Sequence, residues 1–112
     1  MNFSVKRSEW LRGAMGGSFL LRKVDNKKCC LGFLALACGA TEESIFGHRM
    51  PASLQQAVWP KELFNEEGLV QITQKCINIM SVNDEVLTSD LEKEDELTRQ
   101  FADIGITINF ED

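Results

Sequence analysis

Hydrophobic residues are most concentrated in the middle of the first half of the chain, where residues 29–38 read CCLGFLALAC. Wound as a helix, this stretch is apolar on every side, because each row of residues three or four apart is nonpolar. A helix without a polar face has to be buried. The pattern therefore predicts a buried central helix over residues 29–38, which Lys27 and Lys28 precede and Gly39 ends.

Shorter helical patterns lie on both sides of this central helix. Each begins with a residue that favours a helix start, or repeats its apolar residues at intervals of three and four. The predicted helices are residues 4–12, 41–44, 51–58 and 69–81. The last of these is rich in β-branched residues, so a strand remains the alternative there.

The longest amphipathic pattern lies near the end of the chain. Ser89 and Glu92 have the spacing of a capping box, in which a hydroxyl and an acid three residues later bond to each other's backbone. Leu97, Phe101 and Ile104 then repeat at intervals of four and three. This predicts a helix with one buried face and a strongly acidic outer face.

Two segments favour strands. Residues 106–110 (ITINF) alternate between apolar and polar positions, as a strand with one buried face does. Residues 18–22 are too short for a helix and too apolar for a loop. If the two pair with each other, they form a small two-stranded sheet beside a mostly helical body. The prediction is a compact α+β fold in which residues 1–112 form a single domain.

Charge is unevenly distributed along the chain. The net charge is −5, yet residues 1–40 carry seven Lys or Arg against two acids, and residues 41–112 carry five against fifteen. Phosphate contacts need clustered Lys and Arg, and no basic run here is longer than two residues. This argues against direct nucleic-acid binding and favours a partner of opposite charge.

The acids are densest on the outer face of the last predicted helix. Such a run usually forms a solvated helix face, and the alternative is an acidic docking surface. As a docking surface it would attract a protein with a basic surface and raise the rate of association. The residues predicted to bind are Asp90, Glu92, Glu94, Asp95, Glu96 and Asp103. The protein itself is expected to be a monomer or a homodimer.

The cysteines predict free, buried thiols. Cys38 lies roughly 12–14 Å from Cys29 and Cys30 along a common helix axis, too far for a disulfide. At most one bond to Cys76 is possible, which fits a reducing compartment. The N-terminal residues do not read as a signal peptide, and the apolar stretch is about half the length of a membrane span. The prediction is a soluble cytoplasmic protein that does not contact membranes.

One arrangement of residues suggests an enzyme. A thiol of Cys29 or Cys30 at a helix start, next to lysines, could act as a nucleophile. His48 would be its base, with Asn83 or Asp84 orienting the imidazole, an order of residue types like that of papain-like proteases. The alternative is that the cysteines are core residues, which is much the commoner role of buried cysteine. We therefore favour a noncatalytic protein.

Metal and cofactor sites are not predicted. Adjacent cysteines cannot both chelate in the manner of a C-x-x-C pair. A zinc site would need one of them together with Cys38, Cys76 and His48. The spacing along one helix makes that convergence improbable.

Several short sequences together resemble one group of proteins. They are Trp10, KCCLGFL at 28–34, MPASL at 50–54, VND at 82–84 and FADI at 101–104. Small proteins encoded by bacteriophages and prophages share a tryptophan, a Cys-Cys-Leu-Gly helix start, a Pro-centred segment and an Asn-Asp step. The resemblance implies a small acidic protein in the cytoplasm of a bacterial host. Many proteins of this class bind and block a host protein, and inhibitors of host defence such as anti-CRISPR proteins belong to it. It implies no catalytic residues.

Overall fold

The computed structural model describes residues 1–13, 19–48, 60, 62–65 and 71–112, which contain four strands, four α-helices and one turn of 3-10 helix. The strands are Asn2–Lys6 (β1), Phe64–Asn65 (β2), Gln71–Ile72 (β3) and Thr107–Glu111 (β4). The α-helices are Cys30–Ala37 (α1), Glu42–Ile45 (α2), Gln74–Asp84 (α3) and Asp90–Ala102 (α4), and the 3-10 turn is Arg7–Glu9.

The main sheet joins the two ends of the described chain. β1 and β4 pair in parallel, with Asn2 opposite Thr107 and Lys6 opposite Glu111. Phe3, Val5 and Ile108 are buried, whereas the residues beside them in the strands are exposed. One face of the sheet therefore packs on the core, and the strand predicted at residues 106–110 is confirmed with a shift of one residue.

The partner of this strand differs from the prediction. Residues 18–22 were expected to pair with it, but β1 occupies that place. Of the described residues in that segment, Leu21 makes only an isolated parallel bridge to Phe46. The helix predicted over residues 4–12 is also wrong. Phe3 and Val5 alternate with exposed residues, and this segment pairs with β4. These contacts outweigh the local helical signals of Ser4 and the residues after it.

The central helix is confirmed as α1, and its first half is the most enclosed part of the molecule. Cys30, Leu31, Leu34 and Ala35 are at most 1% exposed. Gly32 lets the helix approach the preceding segment, since a Cβ there would lie 2.0 Å from the Leu20 carbonyl oxygen. Towards its C-terminal end the helix becomes half-buried and then exposed. The predicted burial on every side thus holds for the first turns only.

Helices α2 and α4 begin as their caps predict. Thr41 Oγ1 accepts a hydrogen bond from the Ser44 amide while Ser44 Oγ accepts one from the Thr41 amide, which closes a capping box. Ser89 caps α4 by accepting from the Glu92 amide at 3.2 Å. These side chains satisfy amides that have no partner inside the helix.

The predicted buried stripe of α4 is confirmed. Leu97 and Phe101 are buried, and Ile104 packs against the same core. The ring of Phe101 meets the ring of Phe3 edge-on, with centroids 5.2 Å apart, which ties α4 to the sheet. Gly105 follows the helix with φ +75, a left-handed conformation that glycine adopts without strain, and the chain then enters β4.

Helix α3 starts later than predicted. Residues 69–81 were expected to be helical, but residues 71–72 form a strand and the helix runs from Gln74 to Asp84. Thr73 sets the start, because its hydroxyl accepts a hydrogen bond from the Cys76 amide at 3.2 Å. The strand alternative is thus correct for the first part of this segment. The helix predicted over residues 51–58 lies outside the described residues.

The class of the fold is α+β, as predicted. Trp10 and the residues around it in the core bring together β1, α1, α3, α4 and β4. The Cα radius of gyration is 12.8 Å, close to the ~13 Å expected for one compact domain of this length. No helix within the described ranges is long and apolar enough to cross a membrane.

Candidate functional site

The thiol of Cys30 is enclosed by the core. Cys30 is the first residue of α1, and its side chain is fully buried. Burial raises the pKa of this thiol well above its ordinary value, and the neighbouring Cys29 and Asp84 raise it further. A nucleophilic cysteine needs the opposite shift. Cys30 is therefore a protonated core thiol at neutral pH, contrary to the role considered for it.

The other three cysteines are also free thiols, and two of them are buried. All four are free, as predicted, and Cys29 and Cys76 are buried like Cys30. Burial raises the pKa of Cys76 to about 12, and the nearby Cys29 contributes in the same direction. Burial also raises the pKa of half-buried Cys38. Of the two lysines that were expected to favour a thiolate, Lys28 directs its ammonium to Glu9 and to the Phe33 ring instead.

Asn83 is a hydrogen-bonding centre of the core rather than part of a catalytic triad. Its Oδ1 accepts from the indole Nε1 of Trp10 at 2.8 Å and from the Cys30 amide at 3.2 Å. Its Nδ2 donates to the Leu11 carbonyl at 3.0 Å and to Asp84 Oδ1 at 3.1 Å. A side-chain amide has two donors and two acceptor lone pairs, and all four are used here. Asn83 has no capacity left to orient His48.

His48 is half-buried just after α2. Its amide donates to the Ile45 carbonyl at 3.1 Å, and its carbonyl accepts from the Leu20 amide at 2.8 Å. Its backbone is thus fixed between these two segments. Among the described residues, no three His, Cys, Asp or Glu side chains converge as ligands for a metal ion.

Most of the predicted acidic surface is neutralised within the molecule. Both carboxylate oxygens of Glu94 accept from the Arg7 guanidinium, at 2.7 and 3.0 Å. Asp90 accepts from Arg12 at 2.8 Å, and this bond lowers the pKa of Asp90. Asp103 pairs with Lys75 at 3.1 Å. Glu96 pairs with Arg99 in the next turn. The pairs of Glu94, Asp90 and Asp103 join distant parts of the chain, which the linear charge pattern could not reveal. The pair of Glu96 lies within α4.

Two of the predicted acids remain available. Asp95 is exposed and makes no ion pair or hydrogen bond within the described part of the chain. Glu92 accepts from the Ser89 hydroxyl at 3.1 Å but has no basic partner among the described residues. Both carboxylates belong to the exposed side of α4 and are solvated.

Large apolar side chains lie exposed next to these two acids. Leu87 is 91% exposed, Leu91 69% and Val86 50%. Leu91 lies one turn before Asp95 on the same face of α4. We call Val86, Leu87, Leu91, Glu92 and Asp95 the corner surface, because they occupy the connection between α3 and α4 and the first turns of α4.

Lys93 holds the corner surface in place. This lysine is buried, and its ammonium donates to the Thr88 carbonyl at 2.6 Å and to the Thr88 hydroxyl at 3.0 Å. The Leu87 amide donates to Glu85 Oε1 at 2.9 Å. The sequence does indicate this surface. Leu91 does not fall at the three- and four-residue spacing of the buried stripe of Leu97 and Phe101, so it lies on another face of the helix.

Comparison of the chain with protein-family models, curated proteins and solved structures gives no match.

Proposed function

We propose that this is a small noncatalytic binding protein of bacteriophage type. It acts in the cytoplasm of the bacterial host, where it binds a host protein with a basic surface and modulates or inhibits it. A role in host takeover or against host defence, such as an anti-CRISPR function, follows from the resemblance to phage and prophage proteins. The observation that carries the binding role is the corner surface.

The corner surface has the composition of a protein contact. Leucine side chains that are 91% and 69% exposed gain free energy when a partner removes them from water. The Lys93 clamp on Thr88 orders the connection before binding, so less conformational entropy is lost on association. Exposed apolar residues on an ordered support favour a specific partner.

Charge selects the kind of partner. Glu92 and Asp95 flank Leu91 and have no basic partner among the described residues, so their charge is available to another molecule. The chain as a whole carries a net charge of −5. Opposite charge steers association and suppresses contact with acidic proteins. A basic surface with an apolar hollow fits this arrangement best.

The state of the thiols supports a noncatalytic role. Cys30 is enclosed with a raised pKa, and Asn83 spends its hydrogen bonds on Trp10, Cys30, Leu11 and Asp84. A cysteine hydrolase needs an accessible thiolate and a partner free to orient the base. Cys30 is not accessible, and Asn83 is not free to orient a base.

Affinity purification from host lysate with matched variants tests the proposal. The L87S/L91S double variant removes the apolar part of the corner surface, and E92K/D95K reverses its charge. The control is V24S, because Val24 is as exposed as Leu87, at 91%, but lies outside the corner surface. We expect one host protein to be retained by wild type and V24S and lost by both corner variants.

Salt dependence and self-association give two further tests. Recovery of the partner should fall as ionic strength rises, because exposed charges are screened beyond about 10 Å at 0.1 M salt. Equal recovery by wild type and both corner variants would exclude the corner surface. A wild-type dimer that becomes a monomer in L87S/L91S, as measured by sedimentation, would mean that a second copy of the chain covers the leucines and would also contradict the proposal.

A further inference from the structure

A groove lined by residues outside the corner surface has no role in the function proposed above. It has a volume of about 510 Å³ and is lined by Glu9, Leu21, Asn26, Lys28, Glu42, Glu43 and Phe46. We call it the lysine groove. It shares no residue with the corner surface, and its lining comes from the 3-10 turn, the segment before α1 and the start of α2.

Backbone hydrogen bonds fix the walls of the lysine groove. The Lys28 amide donates to the Glu9 carbonyl at 2.9 Å, and the Leu11 amide donates to the Lys28 carbonyl at 2.7 Å. The Gly47 amide donates to the Leu21 carbonyl at 2.8 Å, which places Phe46 beside Leu21. The groove is thus formed by segments that are bonded to each other and needs no rearrangement to exist.

Lys28 is the unusual member of the lining. It is 4% exposed, almost as buried as Lys93 at 3%. The Lys93 ammonium has two oxygen acceptors at 2.6 and 3.0 Å. The Lys28 ammonium has one acceptor in the described residues, Glu9 Oε1 at 3.5 Å, and otherwise faces the ring of Phe33 at 5.0 Å from its centroid.

A buried ammonium has three N–H donors and is costly to leave short of acceptors. Lys28 therefore has donors for an acceptor that comes from outside the chain. The best acceptor for a buried ammonium is an anionic oxygen, since charge-assisted hydrogen bonds are about twice as strong as neutral ones.

The other residues that line the groove determine which kind of anionic ligand can bind there. Glu42 and Glu43 are exposed and make no hydrogen bond or ion pair with a described residue. With Glu9 they give the groove three carboxylates and one ammonium, of which only Glu9 is paired with Lys28. A phosphate dianion would be repelled by them, whereas a carboxylate on a molecule that also carries cationic nitrogen would be attracted. Phe46, 43% exposed, adds an aromatic wall whose ring already carries the Lys23 ammonium, 5.7 Å from its centroid.

We propose that the lysine groove binds a cationic α-amino acid. Its carboxylate accepts hydrogen bonds from the Lys28 ammonium, and its cationic groups pair with Glu42 and Glu43 beside the ring of Phe46. A ligand of this class places its cationic groups against the carboxylates of the groove and supplies the acceptor that Lys28 lacks within the described residues.

Isothermal titration calorimetry on the whole wild-type chain tests the proposal with L-arginine and agmatine, which is arginine without its carboxylate. We expect L-arginine to bind saturably and agmatine to bind at least about tenfold more weakly, because it cannot accept from Lys28. No saturable heat with L-arginine up to about 10 mM would overturn the proposal. Equal affinity for the two compounds would overturn it as well.

Variants then assign the residues. K28M keeps the length of the side chain without its charge and should abolish the preference for L-arginine over agmatine. E42Q/E43Q should weaken the binding of both compounds. The control E111Q changes an exposed acid outside the groove and should weaken the binding of neither. Unchanged binding in K28M would overturn the assignment. Circular dichroism verifies folding, and if K28M does not fold, the comparison of L-arginine with agmatine on the wild type decides.

Discussion

The indole Nε1 of Trp10 donates a hydrogen bond to Oδ1 of Asn83 at 2.8 Å, and both residues are 1% exposed. The same oxygen accepts from the Cys30 amide at the start of α1. One amide side chain thus joins the segment after β1, the central helix and the end of α3. Because these partners are buried, water cannot replace Asn83 if it is removed.

Replacing Asn83 with Ala should destabilise the protein by roughly 3–5 kcal/mol, since it leaves the Trp10 indole N–H, the Cys30 amide and the Leu11 carbonyl without their partner. Urea denaturation measures this loss. The matched control is N78A on the same helix, where Asn78 is exposed and the change should stay within about 0.5 kcal/mol. A loss in N83A no larger than that in N78A would contradict the role of Asn83 as a hydrogen-bonding centre.

Replacing Gly32 with Ala gives a second prediction, which is tested by whether the protein becomes more or less stable. Glycine to alanine inside a helix normally stabilises by about 1 kcal/mol. In G32A the new Cβ would lie 2.0 Å from the Leu20 carbonyl oxygen, a backbone atom. We expect a loss of roughly 2–4 kcal/mol from overpacking, measured by urea denaturation.

The control for this variant is G39A just after the same helix. Gly39 has φ +99 and open space around its Cβ position. Its replacement should cost about 1 kcal/mol from backbone strain alone. A G32A protein as stable as wild type would mean that α1 does not contact the segment of Leu20 as described.

Local sequence patterns predict the elements whose signals are local. Ser89 and Glu92 predict the start of α4, the apolar run predicts α1, and the alternation of residues 106–110 predicts β4. Each of these depends on neighbours within a few positions, such as a cap or a repeat of three, four or two. For the same reason Thr41 correctly predicts the short helix α2.

The features that could not be predicted from the sequence depend on contacts between residues far apart in the chain. β1 pairs with a strand more than one hundred positions later, Asn2 with Thr107, and no local signal contains that pairing. Glu94 meets Arg7, 87 positions away, so a predicted binding acid became part of an internal ion pair. Asn83 was considered as a residue that orients His48, and its role in the core was missed, because only packing brings Trp10 and Cys30 to its side chain.

The thiols provide a third prediction, which also tests the enzyme hypothesis. In the native protein at neutral pH, iodoacetamide should modify half-buried Cys38 first and leave Cys30 and Cys76 unmodified, because burial limits access and raises their pKa values. Mass spectrometry of digested samples identifies the labelled residues, with urea-unfolded protein as the control. Fast native labelling of Cys29 or Cys30 near pH 6 would support a catalytic thiol instead.

The pH dependence of stability gives the fourth prediction. Burial raises the pKa of Cys76 from 9.0 to about 12 in the folded protein. Between these two values the unfolded chain releases the thiol proton and the folded chain keeps it, so the unfolded state binds fewer protons. Stability therefore falls as pH rises across this range and is unaffected by this group below it. Buried Cys30, whose pKa is also raised, acts in the same direction.

Urea midpoints at about pH 8 and about pH 10.5 measure this fall in wild type and in C76A. Lysine side chains also titrate in this range, but they are the same in both proteins and cancel in the comparison. C76A should start less stable at the lower pH, because it loses buried contacts, and should then lose less stability on going to the higher pH. An equal fall in the two proteins would mean that Cys76 is already ionised, or accessible to water, in the folded state.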